Sequence, residues 1–273
     1  MDQQMMTPEM STLKTRLKAT WESGDYGVFA RYLAKSALDF FDRLNIAAGT
    51  RLLDVAWGAG QLTIPAAKRG IDVTGLDLAA NLVKQAQARA AAEGLVIPIE
   101  EGDAESLPFP DSSFDVVLSL IGSMFAPRPE RVASEMIRVC KPGGRIIMDN
   151  WTPAGHVGQM FKVISKHVPP PHFPSPLLWG DESTVRQRLG FGVKDLTITR
   201  HMDEFVYPFS PTKVDEFFNE DYGPTNQAYG SLDEVARETF HDDLTALWSA
   251  NNLATDGTAH VRGEHIQVIG TRT

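Results

Sequence analysis

Three carboxylates stand at the ends of short apolar runs: Asp54 in Leu53-Asp54-Val55-Ala56, Asp77 in Gly75-Leu76-Asp77, and Asp103 in Glu101-Gly102-Asp103-Ala104. The first is followed by Trp57-Gly58-Ala59-Gly60-Gln61, which reads as a tight turn opening a helix near Gln61. Glycines at 58 and 60 let the backbone approach a ligand closely, and the free N–H groups of a new helix favour an anionic group there. A carboxylate placed like Asp77 can accept hydrogen bonds from two ribose hydroxyls. Each acid alone is equally well read as a helix cap or turn residue. The set, at the carboxyl ends of successive strands, points instead to a binding site for a nucleoside-bearing ligand. A dinucleotide fingerprint would need a third glycine where Thr63 stands, and the C-terminal pattern departs from a second mononucleotide-binding half, so NAD is the weaker reading.

A second group of residues suits an acceptor. Ile121, Met124 and Phe125 follow the fourth apolar run; Trp151, Met160, Phe161, Phe173 and Trp179 lie in a segment rich in Pro and aromatics. Such side chains form walls for flat or hydrophobic molecules, or cement a lid. His156, His167 and His172 lie in that segment, and His156 and His172 are the candidates for a general base or for substrate positioning, although spacing identifies no partner acid. No histidines show metal-ligand spacing and Cys140 is the single cysteine, so no metal is expected.

These residues need a scaffold. Segments 51–56, 71–76, 96–100, 114–119 and 144–149 read as strands buried on both faces, separated by helical patterns at 81–93 and 129–140. That alternation predicts an α/β fold: a Rossmann-like, doubly wound sheet, mostly parallel, closed by an antiparallel C-terminal strand. Strand character returns at 195–207 and 264–271. Between them Phe240, Leu244, Leu247 and Trp248 mark one face of an amphipathic helix. The expected organisation is a single domain over 1–273. It comprises a helical cover at 1–45, a cofactor-binding core at 46–150, a lid loop at 151–181 and a helical insertion at 209–262 between the last two strands.

Composition narrows the partners. The 273 residues are 42% hydrophobic and 22% charged, as in a globular protein, with a net charge of −9. Residues 209–262 carry ten acids against three Lys or Arg, so the acidity belongs mostly to the insertion. No basic stripe offers itself to nucleic acid or to anionic lipid. The lone cysteine, the polar start Met1-Asp2-Gln3-Gln4-Met5-Met6 and the lack of a long apolar run predict a soluble cytoplasmic protein without membrane insertion.

In combination the chain resembles the class I S-adenosylmethionine-dependent methyltransferases, particularly the small-molecule group that includes the ubiquinone/menaquinone-biosynthesis enzymes. The resemblance spans about residues 20–150. Its motifs are Leu53-Asp54-Val55-Ala56-Trp57-Gly58-Ala59-Gly60, Gly75-Leu76-Asp77, Glu101-Gly102-Asp103-Ala104-Glu105-Ser106-Leu107-Pro108-Phe109, Phe114-Asp115-Val116-Val117 and Arg138-Val139-Cys140-Lys141-Pro142-Gly143-Gly144. It implies S-adenosylmethionine as cofactor and methyl transfer to O or N of a small, fairly apolar acceptor, with S-adenosylhomocysteine as product. It also implies roles. Gly58, Gly60 and Asp54 would hold the methionyl part; Asp77 would bind the ribose and Leu78 flank the adenine; Asp103 would bond the adenine amino group, with Ala104 beside it. Ser119 would face the methionyl group, and Tyr26 or Phe29 would cover it. Trp57 departs from the small residue or Cys usual at its position, and would either crowd the pocket or fill a neighbouring gap. Two alternatives follow: a cofactor-binding enzyme of non-methylating chemistry, and a degenerate subunit blocked by Trp57. A monomer or a homodimer is expected.

Overall fold

The computed structural model describes residues 7–273; residues 1–6 of the expected N-terminal cover lie outside them. Seven strands form one sheet: β1 (Arg51–Val55), β2 (Asp72–Asp77), β3 (Ile99–Glu101), β4 (Phe114–Leu120), β5 (Cys140–Trp151), β6 (Val193–Tyr207) and β7 (Ala259–Arg272). Their order is β3-β2-β1-β4-β5-β7-β6. Neighbours among β1 to β5 run parallel, and β7 is antiparallel to both β5 and β6. The chain winds outward from β1 to β2 and β3, then returns to lay β4 on β1's other side. That reversal opens a crevice at the carboxyl ends of β1 and β4, where open α/β sheets take ligands.

Both faces of the sheet are covered. On one, Phe40, Phe41 and Leu44 pack on Leu52, Val116 and Ile147; the first three come from α3 (Ala34–Arg43) and its end. The larger core, on the other face, joins Leu53, Val55 and Val117 to Val132 and Met136 of the later helix Pro129–Val139. Alternate residues of one strand thus serve opposite cores, which explains the near-continuous apolar runs. The helix α1 (Pro8–Trp21) is capped by the Thr7 hydroxyl, has Pro8 in its first turn, and buries no residue completely. It lies across the crevice, tied down by Lys14 to Asp103 and Glu105 and by Lys18 to Glu101. The four-residue α2 (Tyr26–Phe29) and a 3-10 turn (Ala30–Leu33) continue this cover.

The remaining helices are α4 (Thr63–Lys68), α5 (Ala80–Ala92), α6 (Pro129–Val139), α7 (His156–His167), α8 (Glu182–Leu189), α9 (Pro211–Asp221), α10 (Gly223–Ser231) and α11 (Glu234–Ala250). Helices α9 to α11 form the insertion between β6 and β7, and the face predicted for α11 is the buried one at Phe240, Leu244 and Trp248. No helix among the described residues is long and apolar enough to cross a membrane.

Three local expectations are corrected. The lid loop at 151–181 contains a helix of three turns, α7, because 156–167 is free of proline and buries Val157 and Met160; Pro153 precedes the helix and the next prolines stand at 169–171. The third strand is shorter and later than 96–100, with Val96 fully exposed. The fifth begins at Cys140, so Lys141-Pro142-Gly143-Gly144 belongs to the strand as well as ending α6.

Candidate active site

The turn after β1 is built from unusual backbone. Ala56 and Gly58 lie at φ +58° and +62°, and Ile121, at the end of β4, lies at +66°. A left-handed β-branched residue costs on the order of 1–3 kcal/mol and persists only where its surroundings impose it. Here the Ile121 N–H donates to the Asp149 carbonyl at 2.9 Å. Beside it, Gly122 approaches Ala56 so closely that a Cβ would lie 2.4 Å from the Ala56 oxygen. Beside these closely packed ends of β1 and β4 opens a cavity of about 1580 Å³, its solvent mouth included.

Of the residues singled out from sequence, Tyr26, Phe29, Asp54, Gly58, Asp77, Leu78, Asp103, Ala104, Ile121, Phe125, Trp151, His156 and Met160 line this cavity together. Others, Phe173 and Trp179 among them, do not. Gly60 faces Ile64 and Ala86 behind the turn. The Ser119 hydroxyl donates to the Val55 carbonyl at 2.8 Å and accepts from the Ser123 N–H at 3.1 Å, tying β4 to β1. Met124 is buried in the core, and Phe161 packs behind Phe125, ring centroids 5.8 Å apart. His172 is exposed, away from the lining. His167 is also outside it, paired at 2.7 Å with Asp243 of α11.

The acids differ in their engagement. Asp54 is buried; its Oδ2 accepts from the Thr63 hydroxyl at 2.6 Å, and its Oδ1 has no partner. Burial pushes its carboxyl up to about 7, against the opposing Thr63 hydrogen bond. Asp77 accepts the Gly58 N–H on one oxygen and the Ala79 N–H on the other, both at 2.9 Å. Burial raises it to about 6, the two N–H groups resisting. Asp77 therefore holds the glycine turn against β2 while facing the cavity. Asp103 accepts the Glu105 N–H at 2.9 Å on Oδ1, and its Oδ2 carries the ammonium of Lys14.

Trp57 takes both of its expected places. Its ring fills the gap above Gly75, and it also lines the cavity, with its indole N–H buried and unpartnered. The Gln61 Oε1, close by, is buried and unpartnered too. Three residues of the cavity wall thus each carry a buried polar atom without a partner, two acceptors (Asp54 Oδ1, Gln61 Oε1) and one donor (Trp57 Nε1), an arrangement that buried polar groups rarely keep without a ligand.

Elsewhere the wall is aromatic, with Trp151, Phe205, Phe218, Tyr222 and Trp248 lining the same cavity as His156. The His156 ring packs edge-on to Trp248 at 4.3 Å; both its nitrogens are buried without partners, and burial pushes its pKa down to about 4. It is a neutral imidazole with one donor and one acceptor to offer. Sequence reasoning missed Asp203 of the cavity wall and the buried pair behind it, His265 and Asp149, joined Nδ1 to Oδ1 at 2.5 Å. It also missed Phe205, Phe218 and Tyr222. Their signal was present only as alternation in 195–207 and the apolar positions of α9, neither of which says what those faces look upon.

Comparison with known proteins agrees with this geometry. A methyltransferase domain matches residues 53–148. An uncharacterized protein of Mycobacterium tuberculosis is 38% identical over 252 residues, covering 91% of this chain and 92% of its own. The demethylmenaquinone methyltransferase of Deinococcus radiodurans is 38% identical over 125 residues, 44% of this chain and 52% of that protein. Among solved structures, the YcgJ protein of Bacillus subtilis superposes with a TM-score of 0.59 at 19% identity, over 87% of this chain and 97% of that one; that likeness concerns the fold. With the strand order, the glycine turn and the acids at the strand ends, these matches place the chain in the class I S-adenosylmethionine-dependent methyltransferases.

Proposed function

We propose that the protein binds S-adenosylmethionine across the ends of β1, β2 and β4 and transfers its methyl group to an O or N of a small, fairly apolar acceptor. The observation that carries the reading is Asp54 Oδ1, a buried carboxylate oxygen without a partner, lining the same cavity as Asp77. The residues present fit the cofactor. Asp54 Oδ1 and Gln61 Oε1 would receive its ammonium, the Trp57 indole N–H would donate to its carboxylate, and Asp77 would accept from the ribose hydroxyls. Leu78 and Ala104 would bracket the adenine. Asp103 has an outer oxygen to give the adenine amino group if Lys14 shifts its hold toward Glu105, which it also pairs. Ser119, through its bonds to Val55 and Ser123, would set the turn from behind.

When bound, the sulfonium supplies an already activated methyl group. The protein then has to align a nucleophile and exclude water. Ile121, Phe125 and Trp151 supply the apolar wall for that, and α1 with α2 closes the top. A hydroxyl or amine acceptor sheds a proton on transfer. His156, kept neutral by burial and with neither nitrogen engaged, is the group we assign to orient that acceptor and take the proton. Met124 and Phe161 support this wall from behind, and His172 takes no part.

The test is turnover of the full chain with S-adenosylmethionine and a panel of small aromatic alcohols and amines. The expected result is acceptor-dependent release of S-adenosylhomocysteine matched by methylated product. An acceptor converted with no S-adenosylhomocysteine released would contradict methyl transfer.

A further inference from the structure

The charged side chains lining the cavity, among the described residues, are Lys14, Asp54, Asp77, Asp103 and Asp203. The first four belong to the turn acids and their cover. Asp203 stands apart, on β6, among the aromatic residues of the acceptor end.

Its setting is constructed. Strand register places Asp149 (β5), His265 (β7) and Asp203 (β6) on one face of three adjacent strands, since Trp151 pairs with His265 and His265 with His201. His265, 1% exposed, gives Nδ1 to Asp149 at 2.5 Å and turns Nε2 toward Asp203 Oδ1 at 3.2 Å. No other ion-pair partner reaches Asp203 among the described residues. Opposite it across the ladder stands Gly263, where a Cβ would lie 2.6 Å from the Phe205 ring and 3.1 Å from Trp151. The glycine lets those rings meet at a centroid distance of 5.5 Å beside the carboxylate.

The charges decide what such a wall accepts. His265 sits between two carboxylates, and even with its ring protonated the trio keeps one surplus negative charge at the cavity end. A carboxylate in an apolar wall is costly unless paired, and a cation is the partner that compensates it. Trp151 and Phe205 add ring faces that attract the same kind of group. An anionic acceptor would instead meet Asp203 with no Lys or Arg lining that end, among the described residues, to offset it.

We propose that Asp203, positioned by His265 and Asp149, is the acceptor-recognition carboxylate and selects an acceptor that carries a protonated amine on an apolar, aromatic body. The proposal rests on the methyl-transfer reading above.

The test uses the full chain saturated with S-adenosylhomocysteine and three matched probes: 2-(1-naphthyl)ethylamine, 2-(1-naphthyl)ethanol and 3-(1-naphthyl)propanoate. Affinities are read by ligand-detected NMR. The amine should bind at least about tenfold tighter than the alcohol, a difference of one good charge-assisted contact, and the carboxylate most weakly. Asp203→Asn should bring amine and alcohol within about twofold while S-adenosylhomocysteine binds as before, and His265→Gln should reduce the amine advantage without abolishing it. Asp203→Glu, which restores the charge, should recover part of that advantage and serves also if the Asn variant fails to fold. An amine no tighter than the alcohol in the wild type, no probe binding at all, or an advantage that survives Asp203→Asn overturns the proposal. If S-adenosylhomocysteine itself does not bind the wild type, the methyl-transfer reading fails instead.

Discussion

The indole of Trp57 occupies the space that a side chain at position 75 would need: an added Cβ on Gly75 would lie 2.3 Å from Trp57 Cε3 and 2.6 Å from Cδ2. Gly75 sits in β2 opposite Asp54 of β1, so this contact spans the two strands that carry Asp54 and Asp77. A large residue in the glycine turn is thereby accommodated by an absent side chain in the next strand. It fills a gap that a small residue would leave.

This interlock predicts strong coupling. Gly75→Ala should destabilise the protein by about 1–3 kcal/mol, because a rigid ring cannot step aside as a flexible chain could. Trp57→Ala should cost about 3–5 kcal/mol as a cavity. In the double variant the costs should fall short of their sum by about 1 kcal/mol or more. Urea unfolding of the four proteins measures this; additivity would mean the two residues are independent.

The His265 pair predicts a stability loss in alkali. Burial alone would lower the His265 pKa, but the hydrogen bond to Asp149 and the Asp203 carboxylate facing Nε2, with their charges, outweigh it and raise it from 6.5 to about 9. The folded value exceeds the unfolded one, so the stabilisation is complete below pH 6.5 and is lost as pH rises through about 9. Its size is of the order of 3 kcal/mol from the shift. Melting temperature should therefore fall between pH 7.5 and 9.5 in the wild type and much less in His265→Gln. Parallel profiles for the two would refute the charged-histidine account.

His156 predicts the opposite limb. Its folded pKa, pushed down to about 4 from 6.5 by burial, means the unfolded chain binds the proton more readily. Stability should drop as pH falls from 6.5 toward 4, and His156→Leu should blunt that drop. In turnover, His156→Gln should lower kcat by about 10²-fold or more if the ring accepts the proton, with the KM for S-adenosylmethionine little changed. An undiminished kcat would leave His156 a packing residue beside Trp248.

The cover helix α1 predicts a local softness. It buries no residue completely and is fastened at the crevice by Lys14 and Lys18. Amide exchange in 8–21 should be faster than in β1 and β4, slower once S-adenosylhomocysteine is bound, and faster again in Lys14→Ala. Protection in α1 equal to that of β4 would show the cover to be as stable as the sheet.

What could be read from the chain divides by the distance over which it is encoded. Asp54, Gly58 and Asp77 are legible because each sits at the end of a single strand, and the ends of parallel strands share one edge. Gly60, two residues beyond Gly58, and Ser119, near the end of β4, face the supporting turn instead of the cavity. His156 and His172 look alike in sequence; only the start of α7 buries the first and leaves the second in solvent. The trio of Asp149, His265 and Asp203 depends on register across three strands, two of them separated by the whole helical insertion, and no local pattern encodes that. The prolines at 169–171, 174 and 176 also drew the whole of 151–181 into a loop, although 156–167 has helical composition.

The central claim is that the cavity at the ends of β1, β2 and β4 holds S-adenosylmethionine through Asp54, Asp77 and the turn between them. Isothermal titration of the full chain with S-adenosylhomocysteine tests it most directly. The account predicts one-to-one binding by the wild type with Trp57 in place, and a loss of about 100-fold or more in Asp77→Ala, a deficit of about 2.7 kcal/mol. No binding by the wild type, or equal binding by Asp77→Ala, would contradict it.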